Sequence, residues 1–308
     1  MIAPEPSIVN PLAVTVIGGY LGVGKTTLVN RLLRDANGLR LAVLVNEFGE
    51  LPIDGDLIEA EDGNVISIAG GCVCCSYGND LLMALIDLAK LRPRPDHVLL
   101  EASGVALPGA IAASIGLLQD YVTDAVIVLA DAETVRERAS DRYMGDTVER
   151  QLNDADLIVL NKIDLVAAHT GEATLAWLTE RFPQARVAAT SQANLPPDLV
   201  LHSAVGRERL DRASAPHQLD HFETFSIALQ NPVDAEQLAR RLADSQLGLL
   251  RAKGFVTTHA GTLMAIQVVG RRWSVFPAAA STPSGLVCIG LKAQINHQAL
   301  RDIASYQS

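Results

Sequence analysis

The sequence lacks any long apolar run and any cluster of basic residues. No stretch approaches the roughly 18 uninterrupted apolar residues that a membrane helix needs, and the opening MIAPEPSIVN lacks the basic-then-apolar order of a signal peptide. We therefore expect a soluble, cytoplasmic protein that does not act at a membrane. A formal net charge of -10 without a Lys/Arg run excludes a broad footprint for nucleic acid. Any phosphate must be held locally.

Cysteine is also scarce, with four residues in a chain of 308. Three of them, Cys72, Cys74 and Cys75, lie in the stretch GGCVCCS. So few cysteines do not make a disulfide framework, and in a reducing compartment such a cluster more often indicates metal binding or reactivity. The histidines are scattered, without a histidine tract that would indicate a metal store.

The pattern of apolar segments predicts an α/β fold with a mostly parallel sheet. Apolar residues make up 49% of the chain and charged residues 19%, which is typical of a globular protein. Up to about residue 190, short runs rich in Val, Ile and Leu alternate with segments at helical spacing, as in a sheet covered by helices. The apolar runs are LAVTVIGG, LRLAVLVN, NVISIAG, DHVLLEAS, DAVIVLAD, DLIVLNK and ARVAAT, and the helical segments are KTTLVNRLLRD, NDLLMALIDLAKLR and EATLAWLTERF.

The pattern of strand-like and helix-like segments in the second part of the chain predicts a small α+β domain. A proline-rich, mixed-charge segment breaks the alternation and is typical of a linker. Beyond it, HFETFSIALQ, GFVTTHAGTLMAIQVVGRRWSVFPA and LVCIGLKA resemble strands, while DAEQLARRLAD and NHQALRDIASYQ resemble helices. We expect a nucleotide-binding domain over 1–195, a linker over 196–220 and a C-terminal domain over 221–308.

The first apolar run leads directly into GGYLGVGKTT, which fits the phosphate-binding pattern G-x-x-x-x-G-K-[ST]. Glycines let the backbone wrap a phosphate with its N–H groups, and the helix that begins there directs its positive end at the anion. The predicted nucleotide ligands are Gly19, Gly22, Gly24, Lys25, Thr26 and Thr27. We expect Lys25 to reach the β- and γ-phosphates, Thr26 to ligate Mg²⁺ and Thr27 to lie on the α-phosphate side.

The run DLIVLNKIDL ends in Asn161, Lys162 and Asp164, an N-K-x-D sequence at a late strand end. In P-loop proteins this sequence resembles the guanine-reading loop, in which the aspartate accepts hydrogen bonds from N1–H and the exocyclic amine. Adenine offers no such pair of donors. The sequence therefore predicts GTP over ATP.

Acidic residues follow two other predicted strands. Glu101 ends HVLLEASG, where a carboxylate opposite a phosphate loop suits Mg²⁺ binding or the positioning of water, although a helix cap or a surface acid would give the same pattern. Glu47 and Glu50, in NEFGE, approach the same rim, and one of them is a further candidate for Mg²⁺ binding or γ-phosphate sensing. We predict catalytic roles for Lys25, Thr26 and Glu101, with Thr26, Glu47 and Glu101 as magnesium ligands.

The three clustered thiols form a soft site suited to Zn²⁺ or another late transition metal. A structural zinc site requires four ligands, so three leave a position for an incoming or departing partner. Adjacent cysteines on a strand face opposite sides, so the sulfurs converge only where the backbone turns, which the flanking glycines permit. Buried packing and a redox-active dithiol remain alternatives.

Taken in order, GGYLGVGKTT, VNEFGE, GGCVCCS, LLEASGVALP and NKID resemble the CobW-like family of metal-chaperone GTPases, also called the cobalamin-synthesis-protein W family. The segment LLRAKGFV is similar to the family's C-terminal domain. The resemblance implies GTP hydrolysis with Mg²⁺, and Zn²⁺ or Co²⁺ held at Cys72, Cys74 and Cys75. It also implies delivery of the metal to a client metalloprotein or cofactor-synthesis enzyme, with a homo-oligomer as an open possibility.

Two functions of other classes stay open from the sequence. One is a small-molecule kinase or ATPase whose cysteines only pack, which a preference for ATP would favour. The other is a redox-regulated GTP-binding interaction protein, which a disulfide formed under mild oxidation would favour.

Many relatives in the family carry a histidine-rich stretch that this chain lacks, so high-capacity metal storage is not expected.

Overall fold

The computed structural model describes residues 11–36, 38–46, 65–70, 79–201, 221–229, 231–278 and 284–304. Its first part contains a seven-stranded sheet in the order β3-β2-β4-β1-β5-β6-β7, in which every neighbouring pair is parallel. The strands are β1 (Leu12–Gly18), β2 (Leu41–Asn46), β3 (Val65–Gly70), β4 (His97–Glu101), β5 (Tyr121–Asp131), β6 (Leu157–Asn161) and β7 (Arg186–Ala189). All seven predicted strands are confirmed.

Helices cover both faces of this sheet. They are α1 (Lys25–Arg34), α2 (Asn79–Lys90), α3 (Pro108–Ile115), α4 (Val135–Ala139), α5 (Gly145–Asn153), α6 (Ala168–Arg181) and α7 (Pro197–Val200). The central strands are buried on both sides, because alternate residues of β1 enter two different cores: Val14 and Val16 face one, whereas Ile17 faces the other with α1 and α7. This explains why the strands consist of nearly continuous apolar runs.

The second part of the chain forms an antiparallel five-stranded sheet in the order β11-β10-β9-β12-β8. Its elements are β8 (Phe222–Ile227), α8 (Ala235–Leu242), β9 (Leu249–Thr257), β10 (Leu263–Val269), β11 (Arg272–Pro277), β12 (Gly285–Leu291) and α9 (His297–Ala304). Helix α8 begins where the Asp234 carboxylate accepts a 2.9 Å hydrogen bond from the backbone N–H of Gln237. The predicted fold class, a P-loop domain with a small C-terminal α+β domain, is confirmed.

The segment 196–201 opens the predicted linker, and the structure places it against the sheet. Leu199, Val200 and Leu201 are buried in the same core as α1. The remaining linker residues lie outside the described residues, so the predicted division of the chain stays a prediction. Within the described ranges, no helix is long and apolar enough to cross a membrane.

The C-terminal domain contacts the amino-terminal ends of the parallel strands. Arg272 of β11 donates to the Asp156 carboxylate just before β6, at 2.7 Å, and Arg186 at the start of β7 donates to the carbonyl of Ala243, at 2.9 Å. Carboxyl ends of parallel strands are the usual place for ligands. The C-terminal domain therefore leaves that edge of the sheet to the loops that follow the strands.

Candidate functional site

Four neighbouring strands, β4, β1, β5 and β6, end at one edge of the sheet. The phosphate loop follows β1, Glu101 ends β4, Asp131 ends β5 and Asn161 ends β6. Parallel strands bring these positions together although they are far apart in sequence. The topology thus assembles the nucleotide-binding signals predicted from separate motifs.

The phosphate loop requires glycine at two positions for steric reasons. Gly19 has φ +129°, and a Cβ there would lie 2.4 Å from the carbonyl oxygen of Leu129. Gly24 has φ +104°, and a Cβ there would lie 2.5 Å from Nδ2 of Asn161. Both backbone conformations and both contacts exclude larger residues. The loop is therefore packed tightly against β5 and the end of β6.

Lys25 is the first residue of α1 and is nearly buried. Its Nζ donates to the carbonyl oxygens of Gly19, at 3.0 Å, and Tyr20, at 3.2 Å, so the side chain folds back over the loop. Gly24, the residue before the helix, has no side chain to cap it. The first N–H groups of an α-helix have no acceptor within the helix, which is why helix N-termini suit phosphate.

Thr26 and Glu101 join the phosphate loop to the end of β4. The Thr26 hydroxyl donates a 2.8 Å hydrogen bond to Oε1 of Glu101, which is almost fully buried. A hydroxyl beside a carboxylate is a set of hard oxygen ligands that suits Mg²⁺. Thr27 is exposed on the next position of α1. These residues fit a magnesium nucleotide, although their catalytic roles stay a prediction.

Asn161 connects the phosphate loop with two other segments. Its Nδ2 donates to the carbonyl of Val23, at 2.9 Å, and its Oδ1 accepts from the backbone N–H of Ala193, at 2.8 Å. The side chain is only 2% exposed, so both hydrogen bonds are shielded from water. Asn161 therefore joins the N-K-x-D loop, residues 161–165, to the phosphate loop; this is the predicted base-reading loop.

Lys162 and Asp164 continue this loop. Lys162 has φ +62°, an uncommon backbone conformation for a residue other than glycine. Its Nζ donates to Oδ2 of Asp131, at 2.7 Å, and this buried carboxylate also accepts from the backbone N–H of Glu133, at 2.9 Å. Asp164 is exposed in the short 3₁₀ turn Ile163–Leu165. It is thus available for a ligand that approaches from solvent.

Sequence reasoning did not identify Asp131 or Ala193 as parts of the site. Asp131 ends an apolar strand, which is the same signal that identified Glu101, so it could have been found. Ala193 acts through its backbone N–H and has φ +52°, as does Gln192. Neither residue is a glycine or asparagine, so nothing in their side chains predicts this turn.

Four predicted metal-site residues, Glu47, Cys72, Cys74 and Cys75, lie outside the described residues, as does the further candidate Glu50. Their roles stay predictions. Within the part of the chain that the structure describes, no group of three or more His, Cys, Asp and Glu side chains could hold a metal ion. Cys288 is fully buried in the C-terminal core, and burial raises the pKa of its thiol to about 12, as a packing role predicts.

Comparison with known proteins gives matches over both domains. Residues 13–189 match the family model described as the CobW/HypB/UreG nucleotide-binding domain, and residues 222–304 match the cobalamin synthesis protein CobW C-terminal domain. The zinc chaperone CobW of Pseudomonas aeruginosa is 30% identical over 308 residues, which cover 85% of this chain and 81% of that protein. The zinc chaperone YjiA of Escherichia coli is 31% identical over 268 residues, covering 80% and 82%.

The crystal structure of the zinc-bound YjiA GTPase from E. coli is 24% identical in sequence. The comparison covers 97% of this chain and 100% of that one, with a TM-score of 0.47. The family match alone spans more than half of this chain, and it contains the phosphate loop, the end of β4 and the base-reading loop. The chain therefore belongs to the CobW/HypB/UreG family of nucleotide-binding proteins and carries the CobW C-terminal domain.

Proposed function

We propose that this protein is a GTP-hydrolysing metallochaperone, which binds a transition metal at Cys72, Cys74 and Cys75 and delivers it to a client metalloprotein or cofactor-synthesis enzyme. The observation that carries the proposal is the assembly of a phosphate loop, the Thr26–Glu101 pair and a guanine-type loop at one sheet edge of a chain from this family. Its relatives include zinc chaperones and a zinc-regulated GTPase metalloprotein activator of Dictyostelium discoideum.

In this proposal each part of the nucleotide site has a separate task. The phosphate loop and Lys25 bind the β- and γ-phosphates, while Asn161 holds the base-reading loop and Asp164 accepts hydrogen bonds from guanine. Thr26 and Glu101 hold Mg²⁺, with Glu47 as a further candidate ligand. When bound, the ion neutralises the charge that develops on the transferred phosphoryl group.

Zinc is the first choice for the transported metal, because thiolates bind it well and the curated relatives are named zinc chaperones. The same thiolates accept Co²⁺, which makes cobalt the second choice. Three thiolates also leave a coordination position through which a client ligand can enter. A cytoplasmic location suits this chemistry, because thiols stay reduced there.

The place of β3 in the sheet supports a link between nucleotide and metal. Strand β3 ends at Gly70, at the same edge as the nucleotide-binding loops, and Cys72 follows two positions later. Two residues span at most about 7 Å. Two strands separate β3 from β1, which places their centres about 14 Å apart. In this proposal, nucleotide and metal are coupled across this distance, as in other nucleotide switches.

The decisive experiment compares the wild-type protein with a Cys72→Ser, Cys74→Ser, Cys75→Ser variant, and uses Cys288→Ala as the matched control. We expect wild type and control to bind one zinc ion and to hydrolyse GTP in preference to ATP, and the triple variant to lose zinc while still binding GTP. Zinc affinity should also differ between the GDP state and a non-hydrolysable GTP analogue, and linkage requires zinc to change nucleotide affinity by the same factor.

Two results would contradict the proposal. Unchanged zinc stoichiometry in the triple variant would show that these cysteines do not bind the metal. Hydrolysis of ATP as fast as GTP, with full activity in the triple variant, would instead indicate an ATPase or kinase with packing cysteines. Equal zinc affinities with GDP and the GTP analogue would refute the coupling while leaving metal binding intact.

A further inference from the structure

Helices α4 and α5 follow β5 and lie beside the nucleotide-binding edge. Neither helix carries one of the nucleotide-binding motifs of the sequence. Each helix nevertheless contributes one polar side chain to a loop of the proposed site. Arg138 of α4 contacts the phosphate loop, and Gln151 of α5 contacts the loop after Glu101.

Arg138 makes two contacts with the phosphate loop. Its Nη1 donates a 2.9 Å hydrogen bond to the carbonyl oxygen of Leu21. Its guanidinium carbon lies 5.2 Å from the centre of the Tyr20 ring, within the range of a cation–π contact. Tyr20 and Leu21 lie between Gly19 and Gly22, in the part of the loop that wraps phosphate. Arg138 thus holds the loop from the outside.

The hydrogen bond to Leu21 fixes the direction of the next peptide N–H. A trans peptide is planar, so its C=O and N–H point in opposite directions. Because the Leu21 carbonyl points to Arg138, the N–H of Gly22 points away from α4. A Cβ on Gly22 would meet no described atom within 4 Å, so the loop is open at this position. Arg138 therefore contributes to the orientation of a phosphate-loop N–H.

Gln151 holds the second loop in a similar way. Its Nε2 donates to the carbonyl oxygens of Gly104, at 3.1 Å, and Ala106, at 2.8 Å, and the side chain is almost completely buried. The two loops also touch each other, because a Cβ on Gly104 would lie 2.4 Å from a methyl carbon of Leu21. Helices α4 and α5 thus form hydrogen bonds with both loops, at the point where the loops meet.

We propose that Arg138 and Gln151 are positioning residues of the nucleotide site. Arg138 orders the phosphate loop for nucleotide binding, and Gln151 fixes the loop after Glu101 relative to it. Both loops are thereby held in place before the nucleotide arrives, so less order has to be gained on binding. This inference rests on the proposed nucleotide-hydrolysing function and goes beyond it by assigning the support of the site to α4 and α5.

The two residues should affect different kinetic constants. Arg138→Ala should weaken the binding of both GDP and a non-hydrolysable GTP analogue about five- to tenfold, which corresponds to the loss of one charge-assisted hydrogen bond to a partly exposed group. Turnover at saturating GTP should change about twofold or less. Arg138→Lys should recover part of the affinity, since lysine keeps a donor but loses the planar fork. Gln151→Leu should lower turnover about tenfold while leaving GDP affinity within about twofold.

Fluorescent-nucleotide titrations and single-turnover hydrolysis measure these constants. Arg136→Ala is the matched control, because Arg136 is exposed on the same helix. The inference is overturned if Arg138→Ala binds nucleotide as tightly as Arg136→Ala does, or if its thermal stability falls while nucleotide affinity is unchanged. If Gln151→Leu does not fold, the variants of Arg138, whose side chain is only half-buried, test the inference. A wild-type preference for ATP would contradict the proposed GTPase, and the same affinity ratios measured with ATP would then test Arg138.

Discussion

Asp124 lies at the junction of the two domains and offers a sharp test of what holds them together. Its carboxylate forms an ion pair with Arg251 of β9, and Nζ of Lys253 lies 3.6 Å from the same oxygen. The three side chains are 1 to 8% exposed. Lys253 also donates to the carbonyl of Leu201, at 2.7 Å. The Asp124 carboxylate therefore lies beside two buried basic groups.

The Asp124→Asn variant removes this negative charge and nearly preserves the shape. Arg251 would then lose the carboxylate with which it pairs, and breaking a buried ion pair from one side typically costs about 3 to 5 kcal/mol. Whole domains are stable by only about 5 to 15 kcal/mol, so the loss should be large. The control Asp146→Asn breaks an exposed pair with Arg150, 3.7 Å apart, and such pairs contribute about 1 kcal/mol or less.

Urea denaturation followed by fluorescence can report on each domain, because the chain has two tryptophans. Trp177 lies in α6 of the nucleotide-binding domain and Trp273 lies in β11 of the C-terminal domain. In a protein with Trp273→Phe, the fluorescence reports the nucleotide-binding domain, and in one with Trp177→Phe it reports the C-terminal domain. We expect Asp124→Asn to lower both midpoints and to separate them, because the ion pair joins the domains. A loss below about 1 kcal/mol, equal to that of Asp146→Asn, would refute the argument.

Three further predictions concern single side chains. Burial, and then the charge of Arg251, lower the pKa of Lys253 from 10.5 to about 7. The unfolded chain therefore binds more protons between these values, and stability should rise with pH from about 7 to 10, by up to about 1 kcal/mol per unit. Unfolding free energies at pH 7, 8 and 9 should show this rise in wild type and a flatter profile in Lys253→Met, and identical profiles would contradict the assignment. Asp131→Asn should weaken the binding of GTP about fivefold and the binding of ATP less, because Lys162 loses the partner that holds its strained backbone. Nucleotide titrations measure this ratio, and an equal loss of affinity for both nucleotides would indicate a purely structural role. Thr26→Ala should weaken magnesium-dependent GTP binding about tenfold or more but leave binding in EDTA unchanged; equal losses in both conditions would show that Thr26 does not act through the ion.

The parallel sheet was predictable because strands buried on both faces consist of nearly unbroken apolar runs. Helices α3 and α4 gave weaker signals. The sequence of α3, PGAIAASI, is apolar all round, so it shows no helical period, and α4 has only five residues. Strand β9 begins at Leu249, five positions before the predicted run GFVTTHAG. Arg251 and Lys253 obscure its start, because charged residues rarely lie in a buried strand unless they are paired.

The candidate site was predictable where a side chain carries the chemistry. Glycines, Lys25 and Thr26 follow a fixed spacing, and Glu101 and Asn161 stand at strand ends that the topology brings together. Contacts through the backbone were not predictable. The N–H of Ala193 and the carbonyl of Leu21 have no compositional signature, so their contacts with Asn161 and Arg138 emerge only from the fold.

The segment after β7 contacts both edges of the parallel sheet. At the nucleotide-binding edge, the N–H of Ala193 donates to Asn161. Farther along the same segment, the carbonyl of Val200 accepts from the hydroxyl of Thr15 in β1, and the carbonyl of Leu201 accepts from Lys253. These contacts are buried, so a displacement at one end is resisted by packing along the segment. The segment after β7 therefore connects the nucleotide-binding loops with β1 and with the C-terminal domain through buried hydrogen bonds.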